Sequence, residues 1–390
     1  MKWVLKTHFA EVAAIIGGGQ YSQLDRAEAH LDGLRLGQDN SLELVRETLQ
    51  SSCDDCDDLV PATVLAVELG GRNDIDLAIQ LLSHEDLDVR NSCRIALRFA
   101  NISRCLPQLK SATQSNDAHT FASAIDVLAF HRQPVTIDIQ RSLNRKDVDL
   151  QYLAFESSGR SPGRRSDNDI IKGLELNSPR IRNAVLRAGC RNHINRIREI
   201  CHTRAIQNQC RESIHFFGLL SESHDDETLI KLLHNSDTTI PALTAIGKSG
   251  WAHLVPSIFD FLDSDDYTEH ASLAFERITG LTVPRGEPRE PPEDLDEDEK
   301  DFWVTVGMPE TKIIRDWWQD NSNLFEQNQR YQEGHCVSQN PLPIIVNNLS
   351  QPVALDAYLR ERALNHHTTP DWELETWPKY WQHPAWAFSQ

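Results

Sequence analysis

A sequence pattern that returns at an almost constant interval constrains this chain more than any other feature. A polar residue, usually Asp or Ser, stands three positions before a site that is often apolar or β-branched. The polar positions are Asp86, Asp117, Asp147, Ser178, Gln207, Asp237 and Asp266. Their interval is roughly 30 residues, within the range of about 20 to 50 residues that is typical of repeat architectures. The chain is therefore predicted to be a repeat protein.

Small residues follow the same period in a second register. The interval between them is again almost constant along the chain. They are Ala100, Ala129, Gly159, Gly189, Gly218 and Gly247. A small residue at the same place in each unit fits either a helix C-cap or a close contact between two helices.

Each unit carries apolar residues at helical spacing on both sides of its polar turn. Leu229, Leu232 and Leu233 precede Asp237, for example, and strand patterns are almost absent. The Asp or Ser at the turn is a plausible N-cap for the helix that follows. Two short helices per ~30 residues indicate an all-α fold, a HEAT-like α-solenoid of about seven helix pairs.

Four regions are predicted along the chain. Residues 76–280 hold the HEAT-like repeats, and residues 1–75 form the N-terminal helical cap that a solenoid needs for solubility. Residues 281–312 form an acidic, proline-rich linker, because nine acidic and two basic residues lie between Glu287 and Asp301. Residues 313–390 form a C-terminal appendage that holds six of the nine tryptophans.

Charge is unevenly distributed along the chain. The net charge of −19 argues against binding of nucleic acid or anionic lipid over the whole surface, and suits a basic protein partner. Between Arg141 and Arg211, however, 15 basic and 7 acidic residues give a local balance of +8, so the remainder carries −27. This segregation predicts a basic surface inside an acidic shell.

Several basic residues recur one helical turn apart, which places them on one helix face. The pairs are Arg94 with Arg98, Arg187 with Arg191, and Arg211 with His215. Second helices line the concave surface of HEAT-like stacks, so a basic groove for an acidic protein, a phosphate or a nucleic-acid backbone is one interpretation. We predict Arg94, Arg98, Arg187, Arg191 and His215 as its partner-binding residues.

The alternative interpretation of the arginines is structural. Arg90, Arg182 and Arg211 share one repeat position, just after the apolar site. Since Arg pairs well with carboxylates through two parallel hydrogen bonds, these three are predicted to form a ladder with Asp residues of the same or a neighbouring repeat.

Motifs that would indicate catalysis or a metal site are weak. Cys53 and Cys56 form a lone CxxC among acidic residues, and His366-His367 has no HExxH spacing, so both are predicted to be ordinary turns. No nucleophile elbow or P-loop is present. We therefore expect no metal, no cofactor and no enzymatic activity. The tryptophan-rich tail after Trp372 is either a packed C-terminal strap, which we favour, or an exposed partner-binding segment.

Some stretches resemble a bacterial family of HEAT-like repeat proteins without an established activity. Residues 26–35, with the sequence Arg-Ala-Glu-Ala-His-Leu-Asp-Gly-Leu-Arg, resemble its N-terminal AHLDGL signature. Residues 274–280 are similar to the segment that closes its repeats, and Pro309, Trp317-Trp318 and Arg330–Gly334 match its proline, tryptophan pair and Arg-Tyr-x-x-Gly turn. The resemblance implies an association with type VI secretion gene clusters, as an immunity protein or an adaptor for a secreted toxin.

Three functions follow as hypotheses. The first is a non-enzymatic immunity protein that binds and neutralises a type VI-type toxin. The second is an adaptor or chaperone that loads an effector for secretion, and the third is a HEAT-like nucleic-acid-binding or DNA-lesion protein. No apolar run reaches the roughly 18 residues of a membrane span, and no signal peptide is evident, so a cytoplasmic location is expected. The eight scattered cysteines are predicted to be reduced thiols.

Overall fold

A computed structural model of the chain divides into two compact units. Unit 1 consists of Met1–Ile194 and Asn365–Gln390, and unit 2 consists of Asn195–Leu364. The described residues are mostly helical, as predicted for an all-α chain. The structure describes residues 2–17, 23–51, 56–133, 135, 146–161, 167–194, 196–207, 210–287, 307–365 and 368–376.

Unit 1 is built from short helices. Its α-helices are α1 (Lys2–Val12), α2 (Leu24–Leu36), α3 (Asp39–Gln50), α4 (Leu59–Glu68), α5 (Arg72–Gln80), α6 (Leu87–Phe99), α7 (Leu106–Ala112), α8 (Ala118–Phe130), α9 (Val148–Arg160), α10 (Asp167–Leu174) and α11 (Pro179–Arg191). Shorter 3-10 or π turns lie at Ala13–Gly17, Cys56–Asp58, Leu81–Ser83 and Ile102–Arg104. Helix α9 packs against α8 and α11, and α6 packs against α4 and α8. Three of these four packed pairs, α4–α6, α6–α8 and α9–α11, join helices that are separated by one helix in the sequence.

Unit 2 continues the helical pattern and adds one hairpin. Its α-helices are α12 (Ile197–Ile206), α13 (Arg211–Leu220), α14 (Asp226–Leu233), α15 (Thr239–Ser249), α16 (Thr268–Thr279), α17 (Thr311–Asn321), α18 (Pro341–Asn347) and α19 (Gln351–Leu364). It also has 3-10 helices at Ser223–Asp225, Ala252–Phe261 and Ser322–Leu324. Strands β1 (Tyr331–Gln332) and β2 (His335–Cys336) pair antiparallel. Helix α15 packs against α13 and α16. Helix α14 lies between α13 and α15 in the sequence, and the 3-10 helix Ala252–Phe261 lies between α15 and α16.

The polar turn residues cap helices as predicted in four repeats. The side chains of Asp86, Asp117, Asp147 and Ser178 accept hydrogen bonds from main-chain N–H groups in the first turns of α6, α8, α9 and α11. Each bond satisfies a donor that has no partner inside its helix. The pattern weakens towards unit 2, where Cys210, Thr238 and Tyr267 precede the helices instead of Gln207, Asp237 and Asp266.

The recurring small residues make close helix contacts. A Cβ atom at Gly159 would lie 3.0 Å from Cα of Ala188, and one at Gly247 would lie 3.0 Å from Cα of Ala274. At Gly218 it would lie 2.6 Å from Cα of Ala245. The glycines therefore allow consecutive second helices to touch through their backbones, so of the two predicted roles these positions fill the contact role.

Side chains just after each of three helices cap an earlier helix of the same unit. Asn192 Nδ2 donates to Ser158 O at 2.9 Å, and His131 Nε2 lies 2.8 Å from Leu97 O. Arg104 Nη2 donates to Gly70 O at 2.7 Å. All three pairs are 34 residues apart in sequence. Carbonyl groups at helix ends lack partners within the helix, and these side chains supply donors for them. The bonds thus link helix ends at a fixed offset in sequence.

The predicted domain boundaries differ from the units. The predicted appendage 313–390 spans both units, since residues 313–364 group with unit 2 and the described residues 365 and 368–376 with unit 1. The predicted repeats 76–280 are divided after Ile194. In the predicted linker, Gly286 N donates to Met308 O and Glu310 N to Pro284 O, both at 2.9 Å. The ends of this acidic segment are thus paired, while residues 288–306 lie outside the described residues.

Candidate functional site: an arginine network and an acidic strap

Six arginines of unit 1 gather where α6, α8, α9 and α11 pack together. Three of them, Arg98, Arg160 and Arg191, lie in the last turn of a helix, where a positive charge complements the helix dipole. We call this set the arginine network: Arg94, Arg98, Arg132, Arg160, Arg187 and Arg191. The helices supply two carboxylates to it, Asp126 from α8 and Glu156 from α9. The rest of its negative charge comes from a distant part of the chain.

That distant part is residues 371–376, which we call the acidic strap. Asp371, Glu373 and Glu375 alternate in it with Trp372, Leu374 and Thr376. The strap has no helix or strand, yet Trp372 is 8% exposed and Glu373 is 2% exposed. It belongs to unit 1, so the network and the strap form a single site.

Arg160 lies at the centre of the site and is 1% exposed. Its Nε donates to Glu373 Oε2 at 2.9 Å, its Nη2 to Glu375 Oε2 at 2.5 Å, and its Nη1 to Glu156 Oε2 at 2.7 Å. The ring of Phe130 lies 5.1 Å from its guanidinium carbon, within the range of a cation–π contact. One arginine thus joins α9 to two carboxylates of the strap.

The neighbouring arginines bind the strap as well. Arg191 donates to both carboxylate oxygens of Glu373, at 3.0 and 3.2 Å. Arg187 donates to Glu375. Arg132 donates to Asp371 at 3.0 Å and to the main-chain oxygen of Trp372 at 3.2 Å. All three acidic side chains of the strap are therefore bound by guanidinium groups.

The other end of the network is closed by Asp126, which is fully buried. Arg98 donates to it through Nε at 3.0 Å and through Nη2 at 2.7 Å. Arg94 lies 3.8 Å from it and donates to Asn91 at 2.6 Å. At this end the counter-charge comes from the helices, although Arg94 Nη1 makes no hydrogen bond to the described residues.

The ionisation of the strap carboxylates is fixed by the arginines. Burial raises the pKa of Glu375, but Arg187 and Arg160 outweigh it and lower that pKa to about 2. Burial also raises the pKa of Glu373, yet Arg191, Arg160 and Arg132 hold it well below its ordinary value. For Arg160, burial lowers the pKa and the surrounding carboxylates raise it well above its ordinary value. Glu373, Glu375 and Arg160 are therefore charged at neutral pH.

The predicted partner-binding arginines therefore occupy a different position from the one expected. The structure brings Arg94, Arg98, Arg187 and Arg191 into one network, as the helical spacing indicated, but their charges meet internal carboxylates instead of an open groove. Arg94 and Arg191 are 5% and 4% exposed. Their binding to an external partner stays a prediction, since in the folded chain Arg187 and Arg191 pair with carboxylates of the strap.

His215 lies in unit 2, apart from this network. Burial, followed by the charges of Lys248 and Arg211, lowers its pKa to about 3, so the imidazole is neutral. Its Nε2 is buried and makes no hydrogen bond to the described residues. It therefore adds no positive charge to a groove.

The predicted carboxylate ladder takes another form. Arg90 donates to the main-chain oxygens of His84 and Glu85, at 2.7 and 2.8 Å, and Arg182 donates to Leu176 O at 3.1 Å. Arg211 is exposed. Arg90 and Arg182 thus bind main-chain oxygens just after the preceding helix, where carbonyl groups need donors. Arg–Asp pairs do occur between repeats, but at another register: Arg46–Asp74 and Arg98–Asp126 are each 28 residues apart.

Unit 2 holds a second, smaller ionic site. Asp356 on α19 accepts from Lys248 Nζ at 2.7 Å and from Arg277 Nη2 at 2.8 Å. Burial raises the pKa of Asp356, but the two cations lower it to about 2. Sequence reasoning missed this site, because the three residues lie on helices far apart in the chain.

The Arg-Tyr-x-x-Gly turn has a structural role in unit 2. Arg330 is 3% exposed and donates to Ser221 O at 2.9 Å and to Leu219 O at 3.1 Å, at the end of α13. Gln332 Nε2 donates to Gly247 O at 3.2 Å near the end of α15. Gly334, with φ of +79°, donates through its main-chain N–H to Ile278 O. The turn therefore caps α13, α15 and α16.

The remaining motifs of the sequence concern possible metal or thiol sites. Within the described ranges, no group of three or more His, Cys, Asp or Glu residues is suited to hold a metal. Cys93, Cys190 and Cys210 are buried. Cys53 and His366-His367 lie outside the described residues. None of the helices in the described part of the chain is both long enough and apolar enough to cross a bilayer.

The signal for the strap was present in the sequence but was not recognised. The tryptophans are the most conspicuous residues of the tail. The residues that bind the arginines, however, are Asp371, Glu373 and Glu375, which stand at alternate positions. Residues at every second position share one side of an extended segment, so such an alternation predicts a segment that lies against a basic surface.

Comparisons with known proteins add no family. No protein-family model matches the chain, and no curated protein matches it significantly. The resemblance to the bacterial HEAT-like family therefore stays a prediction.

Proposed function

We propose that this chain is a non-enzymatic, protein-binding α-solenoid of HEAT type with about seven helix pairs. Support for the architecture comes from the period itself, from the glycine contacts between alternate helices, and from the caps that join residues 34 positions apart. Repeats of this kind contact mainly their neighbours and expose a long, pre-formed surface. Such a surface suits protein binding better than catalysis.

The single observation that carries the binding function is the docked strap. A segment without helix or strand lies against the ends of repeat helices, held by Arg132, Arg160 and Arg191 through named side-chain bonds. Helical-repeat surfaces that recognise a peptide need these properties: aligned donors, buried contact residues and charge complementarity. Unit 1 therefore has the chemistry of a peptide-binding module.

For the partner, we propose a secreted toxin of the type VI class, which makes the chain an immunity protein. This part of the proposal rests on the resemblance in residues 26–35 and 309–334, which implies a type VI gene context. The test is co-expression with the toxins encoded beside the gene. Protection of the cell and a co-purifying complex are the expected results. Absence of both would contradict the immunity role.

The same experiment addresses the adaptor alternative. Deleting the gene should intoxicate the strain if the chain is an immunity protein, whereas an adaptor would lose secretion without intoxication. The nucleic-acid alternative is disfavoured, because a phosphate backbone would have to compete with internal carboxylates for Arg187 and Arg191.

A further inference from the structure

The strap supplies most of the negative charge that the arginine network needs. Among the described residues, five carboxylates form ion pairs with the six guanidinium groups, and three of the five belong to the strap. Without the strap, six arginines would face Asp126 and Glu156 alone. Buried cations without counter-charges are strongly destabilising. The network therefore requires an acidic occupant.

The occupant is recognised by side chains in a defined spacing. Arg132 binds the first acidic position, Arg191 binds the second with two prongs, and Arg187 with Arg160 binds the third. The intervening Leu374 is fully buried. The required chemistry is thus a short segment with carboxylates at alternate positions and apolar residues between them.

We propose that the arginine network is a binding site for an acidic peptide segment of a partner protein, which takes the place of the strap. The strap is a stand-in from the same chain, and a partner segment with the same alternation satisfies the same donors. The inference deepens the proposed protein-binding function and rests on it. It names the site in unit 1 and the chemistry of the partner: alternating Asp or Glu around Trp or Leu.

Exchange is physically reasonable because of how the strap is held. Arginine side chains of unit 1 bind its three carboxylates, and its residues form no helix or strand. Replacing it with an equivalent segment conserves every ion pair, so the exchange leaves no buried charge unpaired. An occupant without carboxylates at these positions would leave several charges unpaired.

The test uses the full chain and a labelled peptide with the sequence of residues 368–376. The variant E373Q/E375Q removes two of the three strap charges and leaves side chains of the same size. Peptide binding, measured by fluorescence anisotropy, should be at least about tenfold tighter for this variant than for the wild type, because a strap with two fewer charges competes less well for the arginines. A tenfold change in affinity corresponds to about 1.4 kcal/mol. A peptide with Gln at both Glu positions should not bind.

The matched control is E199Q/E227Q, which removes two charges from exposed positions of unit 2. It should bind the peptide as the wild type does. If the E373Q/E375Q variant is folded by circular dichroism but does not bind the peptide, the proposal is wrong. The proposal is also wrong if the peptide with Gln at both Glu positions binds as tightly as the unmodified peptide. Tighter binding of a single-stranded oligonucleotide than of the peptide would instead indicate a nucleic-acid site.

A second measurement needs no variant and so stands even if E373Q/E375Q does not fold. Hydrogen exchange of the amides of residues 372–376 in the wild type should accelerate in excess unlabelled peptide. Unchanged exchange would contradict displacement. Peptide binding without protection against the toxin would support the peptide-binding site and contradict the immunity role. Protection without peptide binding would support the immunity role and contradict the peptide-binding site.

Discussion

Arg191 and Glu373 are 182 positions apart in the chain and form a two-pronged ion pair, with Nη1–Oε2 at 3.0 Å and Nη2–Oε1 at 3.2 Å. Both side chains are almost completely buried. Arginine suits this contact because its planar guanidinium group matches the two oxygens of a carboxylate. The pair fixes the strap on the last repeat helix of unit 1, and the first prediction concerns it.

Glu373→Gln should destabilise the protein by about 3–5 kcal/mol, because Arg191, Arg160 and Arg132 lose a shared counter-charge in a buried site. Urea unfolding followed by circular dichroism measures the change. Glu199→Gln is the control, since its pair with Arg196 is 63% exposed on both sides and should contribute less than about 1 kcal/mol. Equal changes in the free energy of unfolding for the two variants would show that the buried strap pair stabilises the protein no more than an exposed pair does.

Stability should also fall in acid. The pKa of Glu375 is about 2 in the folded chain, below its ordinary value of 4.5. Its contribution is therefore present above about pH 4.5 and is lost as the pH falls towards 2. The shift corresponds to about 3 kcal/mol, which solvent at its 22% exposed side chain reduces.

The free energy of unfolding, measured between pH 5 and pH 2.5, checks this prediction. The variant E375Q should show a shallower decline over that range than the wild type. An identical slope in the two proteins would contradict the assignment of Glu375 as an ionised, arginine-bound carboxylate.

Gly218→Ala should destabilise unit 2 by about 1–3 kcal/mol, because the new methyl group would overlap the backbone of Ala245. Thermal unfolding measures the loss. Gly286→Ala is the matched control in the same unit, where the nearest atom to the added Cβ is 3.6 Å away. If both variants unfold at the wild-type temperature, the close approach of α13 and α15 is not required.

Arg330→Lys should loosen the ends of α13 and α15. A lysine amine cannot reach Ser221 O, Leu219 O and Lys248 O together, as the guanidinium group does. We expect a loss of roughly 2 kcal/mol or more, since buried carbonyl groups are left without donors.

Hydrogen exchange localises this effect. Faster exchange should be confined to amides near the two helix ends. Arg196→Lys, at a 63% exposed position of unit 2, should leave both stability and exchange unchanged. Wild-type exchange in Arg330→Lys would mean that the turn does not cap these helices.

Local rules made much of the fold predictable. The turn residues Asp86, Asp117, Asp147 and Ser178 begin helices because a short polar side chain can satisfy main-chain donors in the next turn. Small residues such as Gly218 mark helix contacts because a Cβ atom there would overlap the backbone of Ala245. Both signals depend on neighbours at a fixed distance along the sequence, which a constant period makes visible.

The sequence by itself determined the mostly helical fold and four of the capping residues, and it placed Arg94 with Arg98 and Arg187 with Arg191 on shared helix faces. Only the tertiary structure decided what those arginines bind. Glu373 follows Arg191 by 182 positions, and no periodic pattern relates residues so far apart. Burial of six guanidinium groups requires nearby carboxylates, and the folded chain supplies them from its own strap, since unpaired charges are not tolerated in an interior of low polarity.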